Sequence, residues 1–117
     1  MQRIYLATIN SWNGLVSAAR SERAIREEIV ILVLAVPAAF LIAATAARAV
    51  ELILVLLLLL AVELLNTAIE KLCDRVTLER DEQIRRVKDM GSAAVGVALV
   101  MAGLLWLFAI AERLGFV

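Results

Sequence analysis

Histidine is absent from this 117-residue chain, and cysteine and proline each occur once, as Cys73 and Pro37. A lone cysteine cannot close an intramolecular disulfide, and with no histidine or second cysteine it has no partner for a zinc site or a redox pair. Cys73 therefore reads as a neutral packing residue. Charge of one sign is missing too: twelve basic residues balance twelve acidic ones, which argues against a nucleic-acid partner. No Walker-type glycine loop, kinase-type loop or HExxH pair occurs. There is no internal repeat, low-complexity tract or composition break, so residues 1–117 read as a single domain.

What the chain has in excess is apolar side chains. Hydrophobic residues make up 63% of it and the mean hydropathy is +0.91, too apolar for an ordinary soluble domain of this size. Residues 29–47 and 90–111 are free of charge and close to the roughly 20 residues a membrane-spanning helix needs. A third span, about 50–69, contains the uncharged run LILVLLLLLAV. The first apolar run follows an acidic pair and exceeds the roughly 7–15 residues of a signal-peptide core, so it is expected to stay in the protein.

The basic residues give a topology. Arg3, Arg20, Arg23 and Arg26 precede the first span, and Lys71, Arg75, Arg80, Arg85, Arg86 and Lys88 lie between the second and third. Only Arg48 and Arg113 fall elsewhere, a bias that predicts a cytoplasmic amino terminus and 71–89 segment with the carboxy terminus outside. Residues 3–26 carry Ile4, Ala7, Ile9, Trp12, Leu15, Val16 and Ala19 near helical spacing and turn polar towards Arg26. They predict an amphipathic helix on the membrane surface, with Gly14 as a weak point. Pro37 predicts a kink in the first span that neighbouring helices absorb. A turn is expected at about 48–51, joining two antiparallel helices. Gly91, Ser92, Gly96 and Gly103 would let the third span approach its neighbours closely.

Directly after the leucine run comes AVELLNTAIEKLCDR. At helical spacing Glu63, Asn66, Glu70 and Asp74 fall within about 80° of one another, one polar stripe opposite Leu64, Leu65, Ile69 and Leu72. An ionised group at mid-bilayer costs roughly 2.5–3.5 kcal/mol even on lenient insertion scales, so such residues usually face a bundle interior and carry function. The bland reading is a polar clamp between helices. The chemical reading gives Glu63, deeper and drier, the work of a general base, and Glu70, nearer water, that of an oxygen ligand for a hard divalent cation. In KDMGSAA, Lys88 and Asp89 stand at the entrance of the third span beside Gly91 and Ser92, where a lysine and free backbone N–H groups suit a phosphate. Taken alone, a lysine at the place of Lys88 is more often a membrane-boundary anchor, and Glu22 in isolation reads as a surface ion-pair partner.

The segments VELLNTAIEKLCDR and VKDMGSAAV, with NSWNGL and SERAIREE upstream, closely resemble the small bacterial integral-membrane diacylglycerol kinase family, which includes undecaprenol kinases. The resemblance covers nearly the whole chain. It implies an all-α membrane protein, a surface helix plus three transmembrane helices, assembled as a homotrimer in the bacterial inner membrane with active sites shared between protomers. It implies transfer of the γ-phosphate of ATP to a lipid primary hydroxyl, with Mg2+ as cofactor. On this resemblance Glu63 is the catalytic base, Glu22 and Glu70 hold the magnesium, and Asn66, Lys88 and Asp89 complete the phosphate site. Arg3 and Ser92 lie near nucleotide or lipid headgroup, Asn10, Glu79, Arg80 and Asp81 contact nucleotide, and Trp106 faces lipid. At Leu6 and Asn10 family members tend to carry a basic residue and a tyrosine, and residues 77–85 differ from the usual loop. KDMGSAAV is closer to the diacylglycerol branch than to the KDxAAGAV of undecaprenol kinases. Diacylglycerol is thus the expected substrate, undecaprenol the second, and a non-enzymatic membrane carrier or assembly subunit the reading from a different class.

Overall fold

The computed structural model describes all 117 residues as four helices and no strand: α1 (Gln2–Ser21), α2 (Arg23–Ile42), α3 (Ala46–Val76) and α4 (Glu82–Arg113). The amphipathic arm is shorter than the sequence pattern indicates. It ends at Ser21, where Glu22 takes extended backbone angles (φ −124°, ψ 117°) and serves as the start of α2. Arg26, expected to close the arm, belongs to α2, and its guanidinium donates back to the carbonyls of Ala19 (2.9 Å) and Arg20 (3.1 Å). Those carbonyls have no partner within α1, so Arg26 caps the helix that precedes its own. Ile25, fully buried against Ala18 and Leu60, fixes the corner. Gly14 does not interrupt α1, and Pro37 lies within α2 without ending it.

The turn between α2 and α3 also falls earlier than expected, at residues 43–45 instead of 48–51. Thr45 is the N-cap of α3, its hydroxyl accepting from the Arg48 amide at 3.1 Å, which satisfies one of the free N–H groups of the first turn. The charges at 48 and 51 mark a contact, not a loop. Arg48 reaches Glu51 at 2.5 Å on its own helix and, through Nε, Glu112 at 3.1 Å near the end of α4, while its guanidinium lies 4.9 Å from the Phe108 ring. At the other end, residues 77–81 link α3 to α4. Asp81 caps α4 by accepting from the amides of Gln83 (2.9 Å) and Ile84 (3.1 Å).

α3 packs along α4 on one side and α2 on the other. The seams are made of small residues: Ala39, Ala43, Ala49 and Ala109 surround Leu52 at the Arg48 end, and Ala98 and Ala102 are buried farther along α4. Alanine at a seam lets backbones approach closely, the usual device where lipid already satisfies apolar side chains. Only 17 of 117 residues are buried, while Leu54, Leu57, Leu58, Val97, Val100, Leu104 and Leu107 lie exposed. An apolar surface on this scale needs a cover of lipid or of further chains. α3 and α4 are long and apolar enough to cross a membrane. The uncharged part of α2, residues 29–42, rises about 21 Å at 1.5 Å per residue.

Because Arg48 ties the first turn of α3 to the end of α4 through Glu112, Arg48→Met should lower the midpoint of thermal unfolding. In a double-mutant cycle measured by thermal unfolding in detergent, adding Glu112→Gln should then cost little more.

Candidate active site

The polar stripe lies on α3 at its change from apolar to charged. Asn66 is buried, and its amide donates to a Glu70 carboxylate oxygen one turn on at 3.1 Å. Its own carbonyl oxygen has no hydrogen-bond partner and faces Gly91 of α4. A methyl group added at Gly91 would collide with that oxygen, so glycine is what lets α4 close over Asn66. Three residues before Gly91, Lys88 of α4 reaches Asp74 of α3 at 2.7 Å, and Asp89 is held by Arg85 at 3.2 Å.

The α1–α2 corner supplies the third side. Glu22, held at the break between the helices, pairs with Lys71 of α3 at 3.4 Å. Lys71 lines a groove of about 440 Å³ between α1 and α3, together with Ser11, Ser17 and Thr67. Glu63 feels the charges of both Glu70 and Glu22, and Glu28 of α2 feels that of Glu63. Carboxylates from the α1–α2 corner, from α2 and from α3 therefore converge. Glu28 sits just before the uncharged part of α2, half-buried, with one carboxylate oxygen lacking a partner. Burial first, and the negative charge of Glu63 second, push its carboxyl up to about 7. A carboxyl that is partly dried and faces a like charge gives up its proton less readily.

No three acidic side chains close into a ready-made metal cage. The donor set suits a hard cation that takes one or two protein carboxylates and fills its remaining positions with water and phosphate oxygens, which is how magnesium binds nucleotide. Glu22 and Glu70 are the residues that would hold it: Glu70 is already oriented by Asn66, and Glu22 sits on a fixed corner.

Glu22, Glu63, Asn66, Glu70 and Lys88 are thus gathered at one end of the bundle, with Asp89 at its edge. Others stand apart from this group. Arg3 and Asn10 are exposed on α1, about 28 and 18 Å along the helix from Glu22. Glu79, Arg80 and Asp81 lie exposed on the α3–α4 link, and Ser92 is exposed on α4. Trp106 is half-buried near the opposite end, its indole N–H donating to the Leu52 carbonyl at 3.3 Å, and its ring lines an apolar groove of about 540 Å³ with Ile31, Leu34 and Leu56. Glu28 and Lys71 were missed from the sequence. For Glu28 a signal existed: Ile25, Glu28, Leu32, Ala35 and Ala39 share one helical face, so a carboxylate there points with the packing residues. Lys71 carried none, because its partner lies across the fold.

An all-helical membrane protein with an acidic centre of chemical character, where its longest apolar helix turns polar, is the class that fold and site define. Residues 9–110 match the family of prokaryotic diacylglycerol kinases. The chain is 43% identical over 106 residues to a diacylglycerol kinase of Pseudomonas aeruginosa, covering 91% of this chain and 86% of that one. It is 43% identical over 104 residues to that of Escherichia coli K12 (89% and 85%) and 39% over 100 residues to that of Haemophilus influenzae (86% and 85%). The chain belongs to the prokaryotic diacylglycerol kinase family, and it is a kinase, which sets aside the non-enzymatic reading.

Gly91→Ala should cut turnover about tenfold or more, equivalent to at least ~1.4 kcal/mol at the transition state, by driving Asn66 off Glu70. The double variant with Asn66→Ala should be no slower than Asn66→Ala alone in the same kinase assay. Glu28 yields a pH effect. Its folded-state pKa is raised from 4.5 to about 7, so the folded form binds the extra proton and loses stability as pH rises through that interval. Glu28→Gln should flatten this fall in a thermal-unfolding series.

Proposed function

We propose that Glu63 accepts the proton of the primary hydroxyl of diacylglycerol while that hydroxyl oxygen attacks the γ-phosphorus of ATP. A phosphorus–oxygen bond to the lipid forms, the bond to the bridging oxygen breaks, and phosphatidic acid and ADP result. Family membership supports the reaction. The observation that carries the role of Glu63 is its position, half-buried at the end of an uncharged leucine run with two further carboxylates acting on it. A lipid hydroxyl stays at the membrane interface, so its base must be found at that depth, with the nucleotide site on the watery side of it.

The remaining parts follow phosphoryl-transfer logic, in which positioning and charge stabilisation dominate. Magnesium held by Glu22 and Glu70 would neutralise charge on the ATP phosphates. Asn66 fixes the orientation of Glu70, and Lys88, poised one turn before Gly91, offers an ammonium to phosphate oxygens once it leaves Asp74. Asp89 borders the nucleotide side. We place α2, α3 and α4 as three spans in the bacterial inner membrane, with α1 on the cytoplasmic surface beside residues 71–89, the carboxy terminus outside, and a homotrimer as the working unit. The positions of Arg3 and Asn10 support shared active sites: each lies too far along α1 to serve the centre of its own chain, yet Arg3 suits the lipid headgroup or nucleotide of a neighbour's, and Asn10 the nucleotide. Glu79, Arg80 and Asp81 border the same watery side. Ser92, exposed one residue beyond Gly91, and Trp106, in its apolar groove, would meet the lipid.

Purified protein with Mg2+ and ATP should phosphorylate a short-chain diacylglycerol in preference to undecaprenol. Glu63→Gln should lower turnover by roughly 10²–10⁴-fold, the usual contribution of general-base catalysis, without changing the oligomer seen by size-exclusion chromatography. Preferential transfer to undecaprenol would keep the mechanism and move the substrate. Full activity in Glu63→Gln would reject the base.

A further inference from the structure

We infer that Lys71 is a built-in counter-ion of Glu22 which the divalent cation must displace, so that Lys71 sets the metal concentration at which the site loads. The inference rests on the reading of Glu22 as a metal ligand. Three observations carry it. The Lys71 ammonium lies 3.4 Å from a Glu22 carboxylate oxygen, the position a cation bound by that carboxylate would contest. The pair joins different elements, Glu22 at the α1–α2 break and Lys71 on α3 directly after Glu70, so the lysine ties one proposed ligand to the helix that carries the other. Third, both ends are free to separate: the side chains of Lys71 and Glu22 are 54% and 36% exposed, and Lys71 forms no other ion pair.

The physical consequence is a competition with a repulsive component. A partly solvated ion pair is weak enough to open, and a unit positive charge held a few ångströms from an incoming divalent ion opposes its binding until the lysine swings into the α1–α3 groove or finds another anion. Lys88 repeats the arrangement on the other side of the site, where Asp74 holds it at 2.7 Å. Without nucleotide or metal, each lysine at the centre thus neutralises a carboxylate. Metal alone strands Lys71, whereas metal arriving with a triphosphate brings negative charge for it to face.

The test uses the whole protein in detergent and Mn2+ alone, without nucleotide, with free Mn2+ followed by electron paramagnetic resonance. Lys71→Met should tighten Mn2+ binding by about three- to tenfold, while Lys71→Arg, which keeps the charge, should stay within about twofold of the parent. Glu22→Gln, measured alongside, separates the two levels of inference. If Glu22→Gln weakens Mn2+ binding but Lys71→Met leaves it unchanged or weaker, the competition is rejected and the metal ligand stands. If Glu22→Gln binds Mn2+ as the parent does, the ligand assignment fails and the competition fails with it. Should Lys71→Met lose the native oligomer, Lys71→Gln provides the same loss of charge with a polar side chain.

Discussion

The cost of holding carboxylates at the edge of an apolar medium governs this molecule. Glu63 follows eleven uncharged residues on α3, and a carboxylate there is tolerated only if protein, not hydrocarbon, surrounds it on the inner side. The other features of this end of the bundle meet that requirement. Buried Asn66 fixes Glu70, Gly91 brings the α4 backbone against Asn66, and the α1–α2 corner closes the third side with Glu22 and Glu28. Buried Ile25, with Ala18 and Leu60, holds that corner in place, so apolar packing a turn away determines where the polar groups meet.

The two ends of the bundle divide the labour of stability and chemistry. At the Arg48 end, every charge that bridges helices is paired: Arg48 serves Glu51 and Glu112 and covers Phe108, while the Trp106 indole is bonded to a backbone carbonyl. Beside them Ala39, Ala43, Ala49 and Ala109 are buried around Leu52. At the Glu63 end, by contrast, buried oxygens of Asn66 and Glu28 lack partners. An unsatisfied buried polar atom costs of order 1–3 kcal/mol, and natural proteins retain such costs mainly at functional sites. The asymmetry separates a satisfied ion pair from a cluster of unmet polar atoms, although both are made of the same residue types.

Helical periodicity made the α3 stripe legible, because Glu63, Asn66, Glu70 and Asp74 lie on one face of one element and need no tertiary information. Pattern reasoning failed where a charge was read as punctuation. Arg48 and Glu51 looked like a turn, yet the partner that makes sense of Arg48 is Glu112, 64 residues away. The actual turn, in a run of alanines and Thr45, carries neither glycine nor proline to announce it. Arg26 likewise marked the polar end of an arm, whereas its guanidinium caps that arm from the next helix. In each case the residue's role depends on an atom outside its own helix, which no single-helix pattern contains.

The same distinction explains why the lysines were harder to interpret than the acids. A carboxylate within an apolar stretch is costly wherever the fold places it, so its presence is informative by itself. A lysine at a membrane boundary costs little and fits several roles: anchor, ion-pair partner or phosphate ligand. What distinguishes Lys71 and Lys88 is the carboxylate each one neutralises, Glu22 and Asp74 respectively. Those pairs leave the centre with more acids than bases, since Glu28, Glu63 and Glu70 have no lysine of their own. Such a residual negative charge favours a cation at the centre over a bare anion. The same crowding of carboxylates, added to burial, is what raises the proton affinity of Glu28.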